Sequence, residues 1–208
     1  MERVTDWEQV KCGCVGHSSS TSRLSHSISM VENWGRVDAA KIIKNAGLKI
    51  PGHSFIVYEH DLCYESITGG PELTPLKKYK EGFENGDVFI FKPDADAASK
   101  REAVNLAFDK YHNHGYGFLQ TGLGFLPVLL FRRIFKQDVQ NPFPWGIICS
   151  ELQLRYLRLL FQVLFGKRKM DKGYLEAASL IKWVWKLDVQ ATDPALLMAC
   201  EINDGIPT

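Results

Sequence analysis

No charge of one sign dominates this chain. Its 25 Lys and Arg stand against 24 Asp and Glu, for a net charge of +1. No global field therefore favours nucleic acid or an acidic lipid surface. Long hydrophobic runs are also missing. The longest, Gly122 to Phe131, is too short to span a bilayer and contains Pro127. The opening MERVTDWEQV is charged and lacks the apolar stretch of a secretory signal. The five cysteines are odd in number and scattered, which argues against a disulfide framework. No internal repeat is present, and no low-complexity segment exceeds the cluster Ser18 to Ser22. These absences leave a cytoplasmic protein of 208 residues, read as a single domain over 1–208 with residues 1–47 as a strand–helix extension.

What is present reads as an α+β fold. Gln9 to Val15 alternates like a short strand. Leu24, Ile28, Val31, Trp34, Val37, Ala40 and Ile43 follow helical spacing over Ser22 to Ala46, with Gly47 as the C-cap. Ser54 to Tyr58 and Leu62 to Ile67 are rich in β-branched and aromatic residues and form a hairpin. Asp87 to Lys92 is a third apolar strand, introduced by Asn85-Gly86 and stopped by Pro93. Asp94 to His112 starts with acids and continues as an amphipathic helix. Asn141-Pro142-Phe143-Pro144 breaks the chain before Trp145 to Cys149, and a long apolar helix runs from Ser150 to about Phe165, ended by a basic turn at Gly166 to Lys169. A further helix is expected over Tyr174 to Lys186, and Thr192-Asp193-Pro194 caps a last one. The expected architecture is a small antiparallel sheet packed against helices.

The chemistry concentrates on Cys149. A cysteine opening a helix is drawn toward the thiolate by the unpaired N–H groups of the first turn, which also suit an oxyanion. An imidazole nearby would complete an activated nucleophile. The hairpin offers one. With a three-residue loop of Glu59, His60 and Asp61, Tyr58 pairs with Leu62 and Phe55 with Glu65, which puts His53 on the face of Glu65, one diagonal step away. A slip of one residue would separate them. Glu65 can then hold the ring and stabilise its charged form, the part of the third triad member.

These residues carry a resemblance. The segment GHSFIVYEHDLCYESITGG resembles the histidine, strand, turn, strand, Gly-Gly block of NlpC-type papain-like hydrolases. The order His53, Glu65, then Cys149 in ICSELQLRY is similar to the circularly permuted branch, with its YiiX-like and lecithin:retinol acyltransferase-like members. GDVFIFKP, the helix after it, the Gly-Tyr-Gly-Phe turn at Gly115 and Thr-Asp-Pro-Ala-Leu at Thr192 follow in the same order, so the resemblance covers Gly52 to Leu197. Ile147-Ile148 depart from it, standing where an aromatic is common. The resemblance implies a permuted papain-like fold with the nucleophile at a central helix N-terminus. It also implies a thiol hydrolase with Cys149 attacking, His53 moving the proton, Glu65 orienting and the Cys149 amide in the oxyanion hole. Ser150, Trp145 and Tyr116 are carried as oxyanion or substrate candidates. The implied substrate is a peptide, cell-wall peptide, isopeptide or acyl compound, with no cofactor. Two alternatives stand beside it: a non-catalytic structural or binding module that keeps the fold, and a lipid-directed acyltransferase or phospholipase.

Other residues carry plainer readings. His26, in Ser25-His26-Ser27, is a second candidate base, but neither a strand nor a carboxylate at the family spacing follows it. Cys12, Cys14 and His17 lie close together, yet Cys-Gly-Cys lacks the loop of a zinc site, and no metal is expected. His112 and His114 suit a helix end. Phe118 to Phe135 reads as a lid or core helix, or as a membrane- or acyl-chain-binding segment. Leu152 to Phe165 is apolar nearly all round, which marks a buried helix. Trp183 and Trp185 cannot share one helical face. Oligomeric state is not legible.

Overall fold

Strands with alternating apolar positions assemble a six-stranded sheet, every neighbouring pair antiparallel. In the computed structural model the described residues are 1–19, 37–59, 61–116, 134, 146–167, 181–187 and 192–206. The strands are β1 (Glu2–Val4), β2 (Val15–Ser18), β3 (His53–Glu59), β4 (Leu62–Ile67), β5 (Gly70–Pro75) and β6 (Val88–Lys92), in the order β1-β6-β2-β3-β4-β5. The described helices are α1 (Val37–Asn45), α2 (Lys80–Glu84), α3 (Ala97–Tyr111), α4 (Cys149–Lys167) and α5 (Pro194–Asn203). The architecture is thus α+β.

The period of two along each strand sorts side chains into two cores. Ile56 and Tyr64 point to the larger one, with Leu152, Leu154, Tyr156, Leu157 and Leu160 of α4 and Ala103, Val104 and Ala107 of α3. Phe55, Val57 and Cys63 point the other way, to Leu76, Tyr79, Val88 and Ile90. Burying each such leucine contributes about 1.5–3 kcal/mol, so the first half of α4 is held firmly against the sheet. Gly16 pairs with Phe55, whose ring lies where a Cβ on Gly16 would stand, 2.1 Å from the nearest ring carbon. Phe55 in turn stacks on Tyr79 with centroids 4.0 Å apart.

Several elements differ from the sequence expectation. The strand expected over Gln9–Val15 begins only at Val15, because Trp7–Gln9 forms a 3-10 turn capped by Asp6 and Lys11–Cys14 closes another turn. The N-terminal segment is not peripheral, since β2 lies between β6 and β3. Strands β1 and β5 were not expected. Three residues give β1 too little pattern, and Pro71 and Pro75 mark β5 as a breaker, although both occupy sheet edges where proline is tolerated. Of the helix expected to 186, the described part is a 3-10 turn, Lys182–Trp185, and the rest lies outside the described residues. Of the helix over 22–46, only α1 is described; Gly47 N–H on Lys44 O and Leu48 N–H on Ile43 O close it as expected. Asp96 caps α3 and Asp193 caps α5 with Pro194 in its first turn. Trp183 is buried and Trp185 exposed.

The hairpin opens differently from expectation. Glu59, not Tyr58, pairs with Leu62, and an irregularity between Val57 and Glu59 takes up the extra residue. Below it Val57 faces Cys63 and Ile56 faces Tyr64, so the body keeps the register that sets Phe55 opposite Glu65.

Candidate active site

Three elements converge at the start of β3. His53 is its first residue, Glu65 lies on β4, and Cys149 opens α4. His53 Nε2 is 2.7 Å from Glu65 Oε2. The Cys149 thiol lies close enough to the imidazole that each group's charge shifts the other's titration. Cys149 is 7% exposed and His53 13%.

The approach to Cys149 is held from two sides. Ser66 donates its hydroxyl to Ile147 O, and Ile147 N–H donates to Gly115 O at 2.9 Å. Tyr116 bridges Ile147 in a parallel pair, so this candidate lies beside the chain two residues before Cys149. Ser150 turns its hydroxyl to Thr192 O at 2.9 Å, so any substrate role falls to its backbone N–H. Trp145, His26 and His60 lie outside the described residues, as does Phe118–Phe135 apart from Ile134.

The electrostatics set Cys149 apart from Cys12, Cys14 and Cys63. Burial alone would raise Cys149, but the His53 charge and hydrogen bond, with the backbone N–H groups of Ser54 and Ser150, outweigh it and hold the thiol below its ordinary value. Burial works against the His53 charge, yet the Cys149 thiolate and then Glu65 push the imidazole up to about 10. Cys63 goes the other way, to about 12, through burial and the Glu65 charge. Burial also raises Cys12 and Cys14.

Glu65 is the hub. It is almost fully buried and accepts from His53, from Tyr79 Oη at 2.7 Å, and from Thr74 and Lys78 in short contacts. Burial would raise its carboxyl, but the His53 hydrogen bond and charge, then Lys78 and Thr74, hold it far below the usual carboxylate range. Sequence reading missed Thr74, Lys78 and Tyr79. Only the alternation of β5 would have pointed to Thr74, and nothing local points to the other two.

His17 does not meet Cys12 and Cys14 in a metal group; among the described residues no three His, Cys, Asp or Glu converge on one. Its ring joins Glu201 instead, with Nε2 2.7 Å from Oε2. His112 Nδ1–H donates to Phe108 O at 2.8 Å at the end of α3, the helix-end placement expected of it.

No family model matches the chain, and no curated protein matches it.

Proposed function

We propose that the protein is a thiol hydrolase of the permuted papain-like class, cleaving an amide or ester bond. The observation that supports it most is an imidazole, His53, held at 2.7 Å by the buried Glu65 carboxylate and close enough to Cys149 for its charge to favour the thiolate. The antiparallel sheet with the nucleophile at the mouth of a buried helix is compatible with a permuted papain-like fold.

In this reading the Cys149 thiolate attacks the carbonyl carbon and a C–S bond forms. The Cys149 N–H and the open end of α4 receive the oxyanion. As the tetrahedral adduct collapses, the C–N or C–O bond breaks and His53 passes its proton to the leaving group. Water then attacks the thioester while His53 takes its proton, releasing the acid and restoring the thiolate. Glu65 keeps the imidazole oriented throughout. Substrates are peptides, isopeptides or acyl compounds.

The low exposure of Cys149 favours a second reading, a binding module that retains the residues without turnover. Competition labelling separates the two. With iodoacetamide near neutral pH, Cys149 is expected to react ahead of Cys63 and Cys200. His53→Ala is expected to slow it about thirtyfold, the fall from full thiolate to the few per cent of an ordinary thiol. Slow, equal labelling of all five cysteines would remove the enzymatic reading. A panel of amide, ester and thioester probes then identifies the bond.

A further inference from the structure

A second buried polar cluster lies on the α4 side of the sheet, and the catalytic steps above do not use it. His17 of β2 faces Ser54 of β3 in the strand register, and its Nδ1 is 3.1 Å from Ser54 Oγ. Its Nε2 is 2.7 Å from Glu201 Oε2 on α5. Gln153 of α4 donates from Nε2 to Glu201 Oε1 at 2.6 Å. All four residues have no exposed surface. With the proton of His17 on Nε2, one pattern serves the chain of groups: Ser54 donates to His17, and His17 and Gln153 both donate to Glu201.

Both ends of this chain lead to the thiol. Ser54 follows His53 directly, and its backbone N–H is among the groups that favour the Cys149 thiolate. Gln153 stands one helical turn after Cys149 on the same face of α4. Beside it, Ser150 Oγ grips Thr192 O just ahead of α5. The first turns of α4 are thus tied to α5 and, through His17, to the strand that carries the base.

We propose that His17, Glu201, Gln153 and Ser54 are positioning residues for the nucleophile. They hold the mouth of α4 against β3 so that the sulfur keeps its contacts with His53 and the Ser54 N–H. A merely structural cluster would lend stability to the core and leave the reactivity of the thiol alone. Gln153 Oε1 is left without a partner, but the bonds His17, Ser54 and Glu201 make to one another would each be costly to break in the core, which holds the first turns of α4 in place.

This inference rests on the thiol-hydrolase reading, and one experiment separates their failures. The alkylation rate of Cys149 by iodoacetamide is measured against pH on the full chain, alongside the melting temperature, for the wild type, Glu201→Gln and Ser54→Ala. The expected result for Glu201→Gln is a midpoint about one pH unit higher, with the rate below the midpoint about tenfold lower. Ser54→Ala removes one hydroxyl and leaves the backbone N–H in place, so it keeps the test open if Glu201→Gln does not fold; its midpoint is expected to move the same way by a smaller step. Lowered melting temperatures with an unchanged midpoint and rate in whichever variants fold would overturn the positioning role while leaving the hydrolase reading intact. A wild type in which Cys149 labels no faster than the other cysteines overturns both.

Discussion

Two histidine–glutamate pairs stand on opposite faces of one sheet, and each closes at the same distance. His53 Nε2 and Glu65 Oε2 are 2.7 Å apart, as are His17 Nε2 and Glu201 Oε2. What differs is the far side of the ring. The His53 ring meets a thiol at a helix mouth and keeps some access to solvent, whereas His17 ends on a serine hydroxyl and is sealed. A tight His–Glu contact is therefore no mark of catalysis by itself. The proposed chemistry depends on a thiol beside the ring and on a place at the edge of the core.

The most severe way to break this contrast is Glu65→Gln. It removes the charge that His53, Lys78, Tyr79 and Thr74 all address and leaves buried donors facing one another. The expected cost is about 3 kcal/mol in denaturant unfolding. A loss well under half of that would mean the hub is less tightly built than its contacts.

A smaller effect should appear in the dependence of stability on pH. The folded His53 value, about 10, lies above its ordinary 6.5. Its contribution is therefore complete below about 6.5 and is lost as pH rises through about 10. Glu65, depressed in the fold, contributes above its ordinary value and loses that contribution as pH falls below it. The Cys149 charge is the largest influence raising His53. Melting temperatures of Cys149→Ala should accordingly begin their alkaline decline at lower pH than those of the wild type. Coincident alkaline limbs would break the assignment.

The mildest changes concern the outer donors to Glu65. Tyr79→Phe is expected to cost about 1.5–2 kcal/mol, one buried hydrogen bond to a charged acceptor. Lys78 is 40% exposed, so Lys78→Met should cost less than about 1 kcal/mol and lose even that difference in high salt. Equal effects of the two substitutions, by chemical denaturation, would blur the line between sealed and open contacts.

Much of this was legible along the chain. Asp96 and Asp193-Pro194 announce the starts of α3 and α5, because a cap acts within four residues of itself. The register that sets Phe55 across from Glu65 could be read because the strand period is two and a slip would turn the whole apolar face outward. Cys149 at a helix start was equally visible. By contrast, the turn of the hairpin was placed one residue off, since a bulge near Tyr58 absorbs a residue without changing the pattern on either side.

The sequence by itself determined the helices that its caps and spacing mark, the alternation that splits the strands between two cores, and the shared face of His53 and Glu65. Only tertiary structure decided that β2 enters the middle of the sheet, that Tyr79 reaches Glu65, and that His17 finds Glu201, 184 residues away. Local order is written in neighbours a few positions apart. Contacts across the whole chain depend instead on which loops close and which faces dock, and no short stretch of residues records that choice.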